Sequence, residues 1–415
     1  MQAIRGTKDI ISPEIYTWQY IEHIISILTQ QFGYSEIRTP IFESIDVFKR
    51  TIGENTDVVG KEMYSFPDKG GDILTLRPEA TASVVRAAVQ HNITAQQQLS
   101  RVWYNGPFFR YERPQKGRQR QFHQFGAELL CAASPEADIE IISLAYTFLQ
   151  KLGISSSVLS INTLATPQVR SIYRSVLIDY FQSNINKLSE DSQKRLLHNP
   201  LRILDSKNPE DKIIAENAPI LRDFLDEEST IHFDTVCEYL TKLNIPFIQQ
   251  STLVRGLDYY SHTVFEFTSN ALGSQDALGG GGRYNHLFEQ FGGKNTPSIG
   301  FAFGIERLII AMNAHGFSPD RINPDYYIIG FESNDAKLKA IQTAHMIRNT
   351  TNNIVITDVQ NRSLKAQMKD ADKHNAQFAI IIGPEEADKS ECIVKNLQEG
   401  TQQTMSLEAF LSSLR

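Results

Sequence analysis

Cysteine is scarce in this 415-residue chain: Cys131, Cys237 and Cys392 lie far apart, with no CxxC pair and no Cys/His ligand spacing. That usage argues against a disulfide scaffold or a structural metal site, and fits thiols kept reduced in a cytoplasmic compartment. Long apolar runs are missing as well. No stretch approaches the ~20 residues that cross a bilayer, and the opening MQAIRGTKDIISPE lacks the apolar core of a secretory signal, so no membrane association is expected. Nor is there a basic excess: 41 Lys and Arg stand against 48 Asp and Glu, a net charge of −7. Any contact with nucleic acid must therefore come from a local patch. What remains, 41% hydrophobic and 21% charged residues, is ordinary for a globular protein, and the length suggests two or three domains.

One stretch breaks the acidic pattern. Arg101–Leu130 reads as two aromatic-rich strands, RVWYNGPFFRYE and QFHQFGAELL, around the loop RPQKGRQR, with Pro114 and Gly117 marking the turn. Arg110, Arg113, Lys116, Arg118 and Arg120 face a single nearby acid, Glu112. Charge alone is equally compatible with a solvated turn. On extended strands alternate residues share a face, so Phe108, Arg110 and Glu112 would point one way, as would Gln124, Gly126 and Glu128. A sheet face bearing such groups is poor core and a plausible binding surface.

Elsewhere the pattern alternates between helix and strand. Residues 13–31 carry Trp18, Ile21, Ile25 and Leu28 at helical spacing, with Gly33 as the stop. YSEIRTPIFESIDVF reads as one strand, which Pro40 demotes to a sheet edge. A turn at Asp68–Asp72 separates two further strands, after which Pro78, Glu79 and Thr81 start a helix. SPEADIEIISLAYTFLQKLG is an amphipathic helix from Ser134 to near Gly153. Residues 166–245 are charge-rich, glycine-poor and helical in period, an insertion between two halves of a sheet. Then come Arg255, Gly256, Asp258, Tyr259 and Tyr260 before the strand TVFEFT, and the run Gly279–Gly282. Four glycines permit close backbone approach and unusual dihedrals, and alone they would mean a flexible loop. PSIGFAFGIERLIIAM is a strand entering a helix, with Gly300 and Gly304 at the turn. Arg307 lies in the first helical turn, where exposed N–H groups and the dipole favour phosphate.

Residues 313–325, with two prolines, form a linker. Beyond it strands (YYIIGF, NIVITDV, FAIIIG, CIVKN) alternate with helices to give a small α/β domain. Arg362, Lys365, Lys369 and Lys373 fall on one helical stripe, read as a solvated face or an RNA contact.

FRYERPQKGRQRQFHQFGAE resembles motif 2 of class II aminoacyl-tRNA synthetases, and in detail that of the histidyl-tRNA synthetase family. The other family elements stand in order. The segment around Pro40 resembles motif 1, whose proline lies at a homodimer interface. TLRPEATA resembles LRPEGTA, with Ala80 where the family has glycine. RGLDYY followed by TVFE is the histidine-specific element. GGGGRY is the second, although the family's Arg-Tyr-Asp-Gly becomes Arg283-Tyr284-Asn285-His286. GIERLIIAM resembles motif 3.

The resemblance implies an α/β fold. An α+β catalytic domain spans residues 1–318, an antiparallel sheet flanked by helices with a helical insertion at about 166–245. An anticodon-binding domain spans 326–415. It also implies histidine–tRNA ligation using ATP and Mg²⁺, with L-histidine and tRNA(His) as partners, in a homodimer. By match, Arg255 and Arg110 are catalytic. Arg110, Glu112 and Arg307 bind ATP. Glu79, Thr81, Gln124, Glu128, Arg255, Tyr260 and Tyr284 bind histidine, and Arg113, Gln115, Lys116 and Arg118 meet the acceptor stem. The metal travels with ATP rather than on protein ligands. The alternative is a non-catalytic, synthetase-like regulatory subunit of ATP phosphoribosyltransferase. Such proteins generally lack the anticodon domain and erode the arginines and RGLDYY, all present here.

Overall fold

The computed structural model describes residues 1–414 other than 54, 55, 57, 96, 97, 274, 275 and 320–322. Part of the expected linker thus lies outside the described residues. The chain forms two compact units, Met1–Pro319 and Asp320–Arg415.

The strands of the first unit are β1 (Ser35–Glu36), β2 (Phe42–Ser44), β3 (Ser65–Pro67), β4 (Ile73–Leu76), β5 (Ser100–Phe109), β6 (Gln121–Leu130), β7 (Val158–Thr163), β8 (Ile248–Gln249), β9 (Ser261–Thr268), β10 (Ala277–Arg283) and β11 (Ile299–Gly304). Its helices are α1 (Glu14–Gln31), α2 (Asp46–Ile52), α3 (Thr81–Gln90), α4 (Pro135–Lys151), α5 (Pro167–Ser183), α6 (Glu190–His198), α7 (Leu201–Leu204), α8 (Pro209–Glu216), α9 (Glu227–Lys242), α10 (Leu287–Gln290) and α11 (Ile305–Ala314). Eight strands make one sheet in the order β1-β5-β6-β11-β10-β9-β7-β8, and β2-β4-β3 make a small second sheet. The central pairings are antiparallel, with parallel contacts at the two ends, β1 on β5 and β8 on β7.

Alternation along the strands gives the sheet two unlike faces. One is dry. Phe125, Ala127 and Leu129 of β6, Phe265 and Phe267 of β9 and Phe301 and Phe303 of β11 pack under α1, α4, α9 and α11, against Trp18, Ile25, Phe148, Val236 and Leu308. Burying each such large apolar side chain contributes roughly 1.5–3 kcal/mol. The opposite face carries Gln124, Gly126 and Glu128 of β6 and stays partly open.

The hairpin forms as read, β5 pairing with β6 from Ser100↔Leu130 to Phe109↔Gln121. YSEIRTPIFESIDVF does not form one strand. It splits at Pro40 into β1, in the large sheet, and β2, in the small one, and its Asp-Val-Phe end enters α2. Proline has no N–H to continue a ladder, so the chain changes sheets there. The four glycines are not a loop. Gly279–Gly282 lie in β10, between β9 and β11, and none has a positive φ. Close approach, not dihedral freedom, requires them. A Cβ on Gly279 or Gly281 would overlap the Ala302 or Gly300 carbonyl, and one on Gly282 would lie 2.7 Å from the Thr263 oxygen. Gly300 likewise sits within β11 rather than at the turn, which falls at Gly304.

The insertion is helical from α5 to α9, although Phe233, Val236 and Leu240 of α9 join the main core. Its middle is tied by the Asp211 carboxylate, which accepts the hydroxyls of Ser189, Ser192 and Ser206 at 2.6–2.7 Å.

In the second unit β12 (Tyr326–Gly330), α12 (Asn334–Thr350), β13 (Val355–Thr357), α13 (Leu364–Lys373), β14 (Phe378–Ile382), α14 (Pro384–Lys389), β15 (Glu391–Asn396), β16 (Gln402–Ser406) and α15 (Leu407–Ser412) build a sheet ordered β13-β12-β14-β15-β16. The short α14 and the polar strand β16 (QQTMS) carry no periodic signal and were not expected. Arg362 precedes α13 instead of joining its stripe, and is held by Asp358 and Asp370.

Candidate active site

The open face of the large sheet floors a cavity of about 1140 Å³. Ten of the residues singled out from the sequence line it: Glu79, Thr81, Arg110, Glu112, Arg118, Gln124, Arg255, Tyr260, Tyr284 and Arg307. Glu128 lies just behind them, 1% exposed. Arg113, Gln115 and Lys116 stand outside the cavity on the exposed part of the loop, whose tip is closed by a Gln115–Arg118 bridge.

At one end is a hydroxyl–carboxylate network. Glu128 accepts from Tyr284 Oη at 2.6 Å, from Thr81 Oγ1 at 2.8 Å and from Tyr104 Oη at 3.4 Å. Burial pushes its carboxyl up to about 8, against the pull of the Tyr284 and Thr81 hydrogen bonds. Beside it Glu79 accepts the Thr81 and Ala82 N–H groups at 2.6 and 2.9 Å, so α3 begins at Thr81 with Glu79 capping its positive end. Burial raises the Glu79 carboxyl too, those N–H bonds and Arg110 opposing it. Gln124 Oε1 is buried with no hydrogen-bond partner among the described residues, a group in want of a ligand donor.

At the other end the arginines converge. Arg110 is anchored through Nε to the Pro78 carbonyl at 3.0 Å and lies over the Phe122 ring at 5.3 Å. Arg307 donates to the Gly117 and Ala277 carbonyls at 3.0 and 2.6 Å, fastening the basic loop to the start of β10. Burial, then the neighbouring Arg118 cation and, more weakly, Arg110, hold the Arg307 guanidinium below its ordinary range, while Glu112 partly offsets them. Glu112 pairs with Arg118 at 3.1 Å. Between the two ends Arg255 lies on the glycine strand: a Cβ on Gly280 would be 3.2 Å from its guanidinium carbon. Its Nη1 meets Glu266 at 2.5 Å. Burial pulls this guanidinium down, and the charges of Glu266 and its neighbours more than restore it.

Several of these supporting groups went unread in the sequence. Glu266, the lone acid in TVFEFT, faces the cavity while Phe265 and Phe267 face the core, an alternation that was there to be seen. Arg77, 7% exposed, donates to the Thr39 and Pro107 carbonyls and lies over Phe108 at 4.6 Å, joining the helix start to the hairpin. Arg283 is fully buried, paired with Asp138 and bonded to the Ala132 and Ser134 carbonyls, and so fixes the end of β10 beside Tyr284.

Fold and matches together define the class, the aminoacyl-tRNA synthetases. The family model for histidyl-tRNA synthetase matches residues 6–308, and that for the anticodon binding domain matches residues 325–415. A histidine–tRNA ligase of a Marinomonas species is 45% identical over 412 residues, covering 98% of this chain and 97% of that protein. One from Halothermothrix orenii is 45% identical over 416 residues, covering 100% and 99%. The crystal structure of apo S. aureus histidyl-tRNA synthetase superposes with a TM-score of 0.84 at 36% identity, covering 100% of this chain and 99% of that one. The chain belongs to the histidyl-tRNA synthetase family.

Proposed function

We propose that the protein is a histidine–tRNA ligase and that the cavity on the open sheet face performs both half-reactions. A carboxylate oxygen of histidine attacks the α-phosphorus of ATP, the bond to pyrophosphate breaks, and histidyl-adenylate forms. A hydroxyl of the 3′-terminal adenosine of tRNA(His) then attacks the activated carbonyl, and AMP leaves. Reactions of this kind depend on positioning and charge stabilisation more than on covalent enzyme chemistry.

The carrying observation is the polarity of the cavity: Arg110, Arg118 and Arg307 at one end, the Glu128–Thr81–Tyr284 network at the other, and Arg255 between them. In an acidic chain such a cluster of cations suits a triphosphate. Arg110 and Arg255 grip the α-phosphate from two sides. Arg307 takes the γ-phosphate, and Glu112 steadies the nucleotide end through Arg118. Mg²⁺ enters with ATP as part of the substrate. Glu79 caps α3 with both oxygens, and each keeps a lone pair for the α-ammonium group. Thr81 and Gln124 join it around the amino-acid backbone, while Glu128, Tyr260 and Tyr284 meet the imidazole. A site that hydrogen-bonds a polar side chain rejects analogues lacking it by about 10⁴-fold in favourable cases.

In this reading residues 1–318 are the catalytic domain, 326–415 bind the anticodon, and Arg113, Gln115, Lys116 and Arg118 touch the acceptor stem. A homodimer in the cytoplasm belongs to the same reading. Ile41, Phe42, Phe66 and Ile73, exposed on and beside the small sheet, support the first, and three free thiols fit the second. The test is charging: purified protein with ATP, Mg²⁺, labelled histidine and tRNA(His) transcript. Label on the 3′ end is the result expected. Binding of tRNA without transfer would turn the reading toward the regulatory alternative.

A further inference from the structure

Resting on that reading, we propose that the helical insertion positions the Arg255–Tyr260 segment, and thereby sets histidine affinity in the first half-reaction, before tRNA is present. The segment bearing Arg255 and Tyr260 forms bends and turns, not helix or strand, up to the start of β9. Its placement therefore depends on what packs against it.

Much of that packing comes from the insertion. Arg170, on α5, donates from Nη1 to the Tyr260 carbonyl at 2.5 Å. Asn199, just after α6, donates from Nδ2 to Asp258 Oδ1 at 3.0 Å. Arg202, on α7, lies beside Gly256, whose Cβ would stand 3.7 Å from its Nη1. The opposite side of Asp258 is closed by Gly53, where a side chain would overlap the carboxylate. Burial lowers the Arg170 guanidinium and the Asp258 charge raises it, so the two act on each other as well as on the backbone. Two hydrogen bonds from the insertion thus hold Asp258 and Tyr260, and Arg202 packs close to Gly256, in a stretch that begins with Arg255.

Nothing in this arrangement requires a nucleic acid. An insertion whose work began only on tRNA binding would need no hydrogen bonds to the segment holding the amino-acid pocket. Arg170 and Asn199 are positioning residues in this account, since they act through Tyr260 and Asp258.

The experiment uses the full chain in histidine-dependent ATP–pyrophosphate exchange without tRNA. Asn199→Ala and Arg170→Ala should each raise the histidine KM by about 10-fold while the ATP KM moves by less than about twofold, and Arg170→Lys should recover part of the loss. In an Asp258→Asn background Asn199→Ala should add little, because the bond is already weakened. Arg174→Ala, exposed on the same helix, should behave as wild type. The proposal is overturned if Asn199→Ala and Arg170→Ala exchange like wild type and fail only in charging, or if the Asn199 and Asp258 effects simply add. Absence of histidine-dependent exchange in the wild-type protein would instead overturn the proposed function.

Discussion

Tyr284 donates a 2.6 Å hydrogen bond to Glu128 across 156 residues of sequence, and the two meet because the strand between them carries no side chain at that level. Glu128 on β6 is opposite Gly300 on β11, which is opposite Gly282 on β10, two residues before Tyr284. A Cβ on Gly300 would overlap the Glu128 carboxylate.

Gly300→Ala should therefore displace Glu128, and because the new Cβ would also lie 2.7 Å from the Ala127 carbonyl oxygen, β6 must shift with it. Overpacking of this kind costs roughly 1–3 kcal/mol, read as a lower denaturant midpoint. Histidine KM should rise by at least about 10-fold, more than the stability loss accounts for.

Glu128 also makes stability depend on pH. Its carboxyl is near 4.5 when unburied and pushed up to about 8 in the fold. Between those values the unfolded chain has released a proton that the folded chain keeps. The contribution to stability is thus full below about 4.5 and shrinks as pH rises through about 8. Glu128→Gln cannot ionise, so its thermal midpoint should decline less over that range than that of the wild type.

Arg255→Ala should lower the exchange rate by about 10²–10³-fold, the usual effect of removing one preorganised group that stabilises transition-state charge. Glu266→Gln keeps the shape but removes the charge paired with Arg255 at 2.5 Å. A smaller loss, about 10-fold, is expected there. Single-turnover adenylate formation measures both.

The exposed loop is open to a different measurement. Arg113→Ala and Lys116→Ala should raise the tRNA KM in charging and flatten its salt dependence by about one counterion for each phosphate no longer neutralised. Their effect on exchange should be the smaller one.

Local chemistry made much of this legible in the sequence. The hairpin follows from two aromatic runs around a Pro/Gly loop, and α1 from the spacing of Trp18, Ile21, Ile25 and Leu28. The arginines could be named only because each sits in a short motif that resembles one of the family's, since charge alone was as compatible with a solvated turn. What stayed hidden depends on neighbours distant in sequence. Gly279–Gly282 has no strand propensity; antiparallel pairing with β9 and β11 makes it a strand, and their close carbonyls leave room only for glycine. The bonds of Asn199 to Asp258 and of Arg283 to Asp138 join segments that no periodicity connects. Pro40 signalled an edge, but a change of sheet cannot be read from one residue.

The central claim, that the open sheet face activates histidine with ATP, is tested most directly by ATP–pyrophosphate exchange with each of the twenty amino acids, Mg²⁺ present and tRNA absent. The account predicts exchange with histidine alone, lost in Arg255→Ala. Exchange with another amino acid, or none from folded wild-type protein, would contradict it.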